Sequence, residues 1–493
     1  MTKLRTCTAF VAVSVVWLLL SGFVYAGRLA EAKHNSEIFT ESSDDPYTLA
    51  VQAYVWGYPL VRAAQLRLIT TLPDTPYMIR LSDVPGGPLN HIGHQRTLST
   101  PNTRLGVAPN HDTLYSLAWL DLAEEPFVLE APDFRDRYYV FQMGQADSST
   151  DHSFGQRTHG PQLPPVFIYS SSFDGDVPAD MLGVKSKYRY LMIAGRIFVN
   201  GDADLPAVHD LQDQVKLQPY SAYREGINSE VSVPDQQPLS DTVAAENSEF
   251  RFLGELGSVL RYVELTPAEE SMVDAFQKIG LSAEDGFSIS RLNDTDRAAV
   301  AKGIADGKAV VRSKTYRLGH EVNGWSINYI GPHFETDYLL RAAVAMDQIY
   351  IVEPKEALYP SARVDTDAEV LDGKHSYRIR FGKGELPPVN AFWSVTMYHA
   401  AGFMVENAID RWSIGDRTPG LVYDEDGALE IIIQHEDPNN ALSANWLPAP
   451  NGPFMLLMRL YLPKNEALDR SWLPPPVSKS TDINAAHPAV QTP

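Results

Sequence analysis

The chain reads as a mainly β protein of the α+β class, with two antiparallel sandwich regions separated by a helical insertion. Three observations carry this reading. Short runs rich in Tyr, Val, Phe and Ile recur over residues 114–199 and again over 375–462. Gly, Pro, Asn and Asp punctuate those runs, as in antiparallel sandwiches or barrels. Between the two strand-rich regions, residues 205–349 hold five segments with helical spacing.

In chain order, Asp45-Pro46 opens a helix over 47–72, since Asp caps and Pro fits a first turn. Pro59 is expected to kink it or divide it in two. Residues 73–110 hold several Pro, Gly and Asn and read as a long loop carrying His91, His94 and Arg96. Strands are expected at 114–122, 126–130, 138–144, 165–170 and 187–199, with a polar loop over 147–157. Helices are expected at 205–217, 246–263, 267–279, 295–306 and 336–349, with a loop at 219–240. Strands return at 375–381, 391–399, 421–423, 428–434 and 453–462, and Asp424-Glu-Asp-Gly427 is a hairpin signal.

The expected organisation is a signal peptide at 1–26, a flexible lead-in at 27–45 and an N-terminal helix plus sandwich at 46–202. A helical bridge at 203–353, a second sandwich at 354–476 and a disordered tail at 477–493 follow. The signal reading rests on basic Lys3 and Arg5, an apolar run from Phe10 to Leu20 broken only by Ser14, and Val24-Tyr-Ala26 before Gly27. Cleavage there implies a periplasmic or secreted protein with no membrane attachment; the alternative is a retained anchor. Cys7, the single cysteine, lies in this segment, so the mature chain has neither a disulfide nor a thiol nucleophile.

The 493 residues leave room for two or three domains, and 44% hydrophobic residues supply an ordinary core. With 62 Asp and Glu against 41 Lys and Arg, the net charge is -21. That field, with no basic run to offset it, argues against nucleic acid or an anionic membrane as partner. A small-molecule or saccharide-like ligand is the partner expected.

The densest chemistry is Asn110-His-Asp-Thr-Leu-Tyr-Ser116, where the long loop runs into a strand. His111 suits a general base, Asp112 its orienting carboxylate, and Tyr115 a donor on the face of Thr113. The competing reading is a loop lock, with Asn110 and Asp112 bonding nearby amides. Asp151 and His152 form a second Asp/His pair, and Arg157 suits a substrate clamp. Trp393, Tyr398 and Trp446 suit stacking on a flat ligand, or alternatively a sandwich core.

No histidine or carboxylate spacing matches a metal motif. His320-Glu321 lacks a second histidine, and Asp365, Asp367 and Asp372 miss the calcium-loop pattern. No cofactor is expected, and a divalent ion at the Asp/His pairs is the weaker alternative. Phosphate-loop, dinucleotide and nucleophile-elbow signatures are absent from the sequence.

Two sets of motifs resemble known families. Ala53-Tyr-Val-Trp-Gly-Tyr-Pro59, Asn110–Ser116, Tyr138-Tyr-Val-Phe141 and Gly155-Gln-Arg-Thr-His-Gly160 resemble the domain-of-unknown-function family 1254. Phe392-Trp-Ser-Val-Thr-Met-Tyr398, Trp412-Ser-Ile-Gly-Asp-Arg417, Ile433-Gln-His435, Asn445-Trp-Leu-Pro-Ala-Pro450 and Leu460-Tyr-Leu-Pro463 resemble family 1214. The resemblance implies two jelly-roll-like domains bridged by helices, export, and a homo-oligomer. It carries no settled activity. The functional expectation is therefore a hydrolase or lyase acting on a small polar or saccharide-like substrate at a His/Asp/Arg cleft. The alternative is a non-catalytic oligomeric envelope or ligand-binding protein.

Overall fold

The computed structural model describes residues 35–39, 43–72, 85–103, 108–227, 231–237, 239 and 249–480. The expected signal peptide, most of the lead-in and the tail from residue 481 lie outside the described residues. The protein is α+β: two sandwich-like pairs of sheets accompany a helical layer.

Helix Pro46–Thr71 organises that layer. Asp45 caps it, its carboxylate accepting from the Thr48 amide at 3.0 Å. Residues on all its faces are buried, as a helix apolar on every side requires. Helices Arg251–Leu260, Asp294–Thr315 and Tyr338–Asp347 pack against it. Pro59 does not divide it: the 26 residues form one helix, whose burial on every side offsets the hydrogen bond Pro59 cannot donate.

Helix Asp294–Thr315 runs nine residues beyond the expected end at 306. Gly303 and Gly307 mask its helical pattern, and they are the reason it packs closely. A Cβ at 303 would stand 2.5 Å from the Tyr47 carbonyl oxygen, and one at 307 would stand 2.9 Å from the Tyr54 Cβ. Behind this layer, Arg341 donates to the Trp56 carbonyl at 3.2 Å and pairs with buried Asp147 at 3.1 Å. The pair ties the helices to the first sandwich.

The first sandwich uses β1 (Gly93–His94), β2 (Thr113–Asp121), β3 (Phe127–Glu130), β4 (Tyr139–Gln145), β5 (Thr150–Gly155), β6 (Val166–Ser170), β7 (Leu182–Ser186), β8 (Tyr190–Phe198) and β9 (Lys216–Pro219). One sheet runs β1-β2-β8-β4-β5 and the other β7-β6-β3-β9. Alternation along β2 sends Leu114, Ala118 and Leu120 into the core between the sheets. Thr113, Tyr115, Leu117 and Trp119 take the opposite face.

Three expectations change here. The polar 147–157 stretch forms edge strand β5, whose solvent-side residues hide its apolar alternation. The expected helix 205–217 stops at Gln212, and Lys216–Pro219 pairs with β3 instead, setting Lys216 against Glu130. The expected loop 219–240 opens with helix Tyr220–Glu225.

A small hairpin, β10 (Leu281–Ser282) with β11 (Gly286–Phe287), lies in the helical layer. The second sandwich uses β12 (His320–Val322), β13 (Trp325–Ile327), β14 (Ala357–Leu358), β15 (Ser361–Ala362), β16 (Tyr377–Phe381), β17 (Val389–His399), β18 (Ser413–Gly415), β19 (Leu429–Gln434), β20 (Trp446–Pro448), β21 (Phe454–Pro463) and β22 (Ser478–Lys479). The larger sheet runs β12-β13-β15-β21-β17-β18, with β14 also on β21, and the smaller runs β20-β19-β16-β22. Pairing is antiparallel except for β6 with β7 and β19 with β20.

Trp393, Val395 and Met397 of β17 and Leu456, Met458 and Leu460 of β21 fill the core of this sandwich. Residues 421–423 are not a strand; Tyr423 makes a single bridge to Leu429. The tail reading fails at its start, because Val477 is buried and β22 pairs with β16.

The outer face of the larger sheet in each sandwich turns toward the other. Tyr138, Val140, Val352, Ala357, Phe392 and Tyr461 pack together there, with the Phe392 and Tyr461 rings stacked at 4.4 Å.

An alanine at an exposed helical glycine normally stabilises by about 1 kcal/mol. Gly303→Ala is predicted to reverse that sign and cost about 1–3 kcal/mol, because the added methyl meets backbone. A urea-denaturation midpoint that rises would contradict the packing described.

Candidate functional site

The seam between the two facing sheets carries a buried polar cluster. Strand register builds one side of it: Tyr115 of β2 lies opposite Arg196 of β8, and Arg196 opposite Val140 of β4. All three side chains therefore stand on the outer face. From the other sandwich come Arg459 and Tyr461 of β21, two residues apart on one face, with Thr396 and Tyr398 of β17. Tyr359, between β14 and β15, completes the cluster.

Arg196 is 8% exposed and has no carboxylate within ion-pair distance among the described residues. Its Nη1 donates to Gln142 Oε1 at 2.8 Å, and its Nε reaches the Tyr115 hydroxyl at 3.4 Å. The Gln142 amide donates to Thr150 Oγ1 at 2.7 Å and to the Tyr350 carbonyl at 2.9 Å, which turns its oxygen toward Arg196. Arg459 also has no carboxylate at ion-pair distance among the described residues. It donates to Thr396 Oγ1 at 2.8 Å, the Tyr398 hydroxyl at 2.8 Å and the Ala108 carbonyl at 2.9 Å.

These guanidiniums set the acidity of the phenols. Burial alone would push Tyr115 up, but the charge and hydrogen bond of Arg196, the Asn110 amide and the Arg459 charge outweigh it, so this phenol lies below its ordinary value. Burial dominates at the neighbours: Tyr359 is pushed up to about 12, and Tyr461 and Tyr138 lie well above the usual range. Tyr115 is thus the phenol of the cluster shifted toward greater acidity, while Tyr461 and Tyr359 are shifted away from it. Tyr115 and Tyr359 also keep part of their surface accessible, whereas Tyr461 is fully buried.

The carboxylates nearby are engaged. Asp112, 1% exposed, accepts from Ser394 Oγ at 2.7 Å and pairs with Arg417. Glu356 accepts from the Tyr138 hydroxyl at 2.8 Å and from Arg157 Nε at 2.8 Å. Burial raises the Glu356 carboxyl despite Arg157 and Tyr138.

The structure redistributes the residues that sequence reasoning selected. Tyr115 joins the cluster. Asn110 donates to the Tyr461 hydroxyl at 2.6 Å and to Thr113 Oγ1 at 3.0 Å, and accepts the Asp112 amide at 2.7 Å, so it is a pin. Asp112 is a strut across the seam, not an orienter for His111. His111 lies 2.7 Å from the Ser99 carbonyl through Nδ1, which must therefore carry the proton, and packs edge-on to Trp412. It makes no hydrogen bond into the Tyr115–Arg196 cluster among the described residues. Burial lowers its pKa.

Asp151 accepts from Gln145 and pairs with exposed Lys187, and His152 stacks on Phe154. They form no dyad with His111. Arg157 is no free clamp, because Glu356 and Glu353 already hold it. Trp393 is core, packed against Phe381. Trp446 is 5% exposed with its indole bonded to the Gln434 carbonyl. Tyr398 is fully buried and donates to the Pro109 carbonyl at 2.7 Å. None of these three presents a stacking face, because interior positions need apolar bulk more than a surface does. No group of three His, Cys, Asp or Glu among the described residues is arranged to hold a metal ion.

Sequence reasoning missed Arg196, Arg459, Tyr461, Tyr359 and Glu356. One signal was present: Arg196 and Arg459 each interrupt an apolar strand, in Met192-Ile-Ala-Gly-Arg-Ile-Phe198 and Leu456-Leu-Met-Arg-Leu-Tyr461. A lone charge in such a run is buried on one face and needs partners.

Two family models and two solved structures are similar to this chain. Residues 89–219 match a family of proteins of unknown function, DUF1254, and residues 356–465 match another, DUF1214. The VPA0106 protein from Vibrio parahaemolyticus has a similar crystal structure, with a TM-score of 0.67 and 24% identity over 88% of this chain and 100% of that one. An uncharacterized protein from Burkholderia cenocepacia matches at a TM-score of 0.40 and 14% identity, over 94% of this chain and 97% of that one. No curated protein matches in sequence.

The strut reading makes a graded prediction. Asp112→Ala leaves Arg417 and Ser394 without their buried partner and should cost about 3 kcal/mol. His111→Ala removes one hydrogen bond and should cost about 1 kcal/mol. Urea denaturation of both variants measures the order, and equal or reversed losses would refute it.

Proposed function

We propose that this chain, a DUF1254 segment followed by a DUF1214 segment, is an enzyme of acid–base chemistry. In this reading a small polar or saccharide-like substrate binds at the seam between the sandwiches. The observation that supports it is the Tyr115–Arg196 pair: a half-buried tyrosine whose phenol is acidified by a buried guanidinium that no carboxylate among the described residues neutralises. A general base works best when its pKa approaches the working pH, and a guanidinium beside a phenol moves it in that direction. Tyr115 takes the proton, Arg196 stabilises the phenolate, and protonated Tyr359 stands ready as a donor. Such a set suits the removal of a proton from carbon, as in a lyase or isomerase, or the activation of water in a hydrolase.

The reading relocates the site from a His/Asp/Arg cleft in the N-terminal domain to the junction of both sandwiches. Export to the periplasm or beyond is part of the proposal, supported by the layout of residues 1–26. Assembly as a homo-oligomer is proposed on the family resemblance.

Exchange of carbon-bound hydrogen in D2O, followed by NMR over a panel of small sugars, uronic acids and hydroxy acids, tests the reading. The wild type should catalyse exchange or conversion of at least one member. Tyr115→Phe should lose about 10²–10⁴-fold while keeping its fold, and His111→Ala should stay within about tenfold. The rate should rise with pH to a plateau set below the ordinary phenol value of about 10. Binding without turnover across the panel, or full activity in Tyr115→Phe, would overturn the catalytic reading; the first result would favour a ligand-binding protein.

A further inference from the structure

We infer that the ligand of the seam carries an oxyanionic group, carboxylate or phosphate, and that Arg196 and Arg459 are the residues that receive it. The inference rests on the placement of the functional site at Tyr115 and extends it to a ligand class.

A guanidinium out of water is costly unless a counter-charge or a full set of acceptors attends it. The other two arginines of the seam meet this requirement with carboxylates: Arg417 with Asp112 and Asp416, and Arg157 with Glu356 and Glu353. Arg196 and Arg459 have no carboxylate at ion-pair distance among the described residues. Their partners are an amide oxygen, hydroxyls and a carbonyl, all neutral.

Asp112 and Glu356 are near enough to feel these charges, yet each turns its oxygens to its own arginine and to a hydroxyl, Ser394 or Tyr138. The accessible part of the cluster, at Tyr115 and Tyr359, is therefore bordered by two cations with no carboxylate in contact among the described residues, and by the protonated Tyr359 hydroxyl. An oxyanion there would accept from the guanidinium forks and the Tyr359 hydroxyl together, and planar forks are what arginine offers an oxyanion. A neutral sugar would leave the charges as they are.

Isothermal titration and thermal shift on the full chain test this with acetate, D-glucuronate and inorganic phosphate against acetamide and D-glucose. At least one oxyanion should bind and raise the melting temperature in a concentration-dependent way, and its neutral counterpart should not. Carboxylate and phosphate arms show which oxyanion is preferred. Arg196→Gln should weaken binding by about 10- to 100-fold. Should that variant fail to fold, Arg196→Lys keeps the charge, loses the fork, and should still weaken binding.

Equal binding of D-glucose and D-glucuronate, no binding of any oxyanion by the wild type, or unchanged binding in the folded Arg196 variants would overturn the inference. The acid–base reading fails separately: oxyanion binding without proton exchange leaves this inference standing, and exchange on neutral substrates alone removes only this inference.

Discussion

Two arginines buried on facing sheets set the terms for the middle of this protein. Arg196 projects from β8 and Arg459 from β21, and water does not solvate either freely. Their cost must be met by what surrounds them. The surroundings follow from that demand. Gln142 is turned by Thr150 and Tyr350 so that its oxygen faces Arg196. Tyr398 both accepts from Arg459 and donates to Pro109. The loop before β2 supplies the Ala108 carbonyl to Arg459. The seam is thus a polar network with an aromatic margin, and neither sandwich forms it alone.

The Asn110–Ser116 motif has its place in this network. Asn110, Asp112 and Thr113 form the pin that fastens the first sandwich to the second, through Tyr461, Ser394 and Arg417. The pin holds the start of β2, and Tyr115 lies three residues beyond Asp112 on that strand. A fastening and the proposed base therefore share one short segment. Under the proposed acid–base reading, mutation of the pin would act through position and mutation of Tyr115 directly.

Much of the fold was legible in the sequence. Aromatic and branched runs such as Tyr139–Gln145 and Phe454–Pro463 have the period and composition of strands, and they are strands. Helix Pro46–Thr71 announced its start through Asp45-Pro46. What escaped was decided by tertiary contact. The polar stretch Thr150–Gly155 becomes a strand because β4 offers a partner, and Gly303 and Gly307 sit mid-helix because another helix leaves them no room for side chains.

The site was half legible. Tyr115 stood out because polar groups cluster in its segment. Arg196, Arg459, Tyr359 and Tyr461 come from strands and turns far apart in sequence, and no local pattern says that two outer faces will meet. Trp393 and Trp446 misled because aromatic residues near polar ones serve a core and a ligand equally well until burial is known.

The central claim is that the environment of Tyr115 lowers the pKa of one phenol among the protein's 23 tyrosines. The direct measurement is an ultraviolet difference titration of phenolate formation, comparing the wild type with folded Tyr115→Phe. The account predicts that the wild type loses one phenolic proton with a midpoint below about 10 that the variant does not lose. Superimposable titrations below that value, or a Tyr115 midpoint above it, would contradict the account.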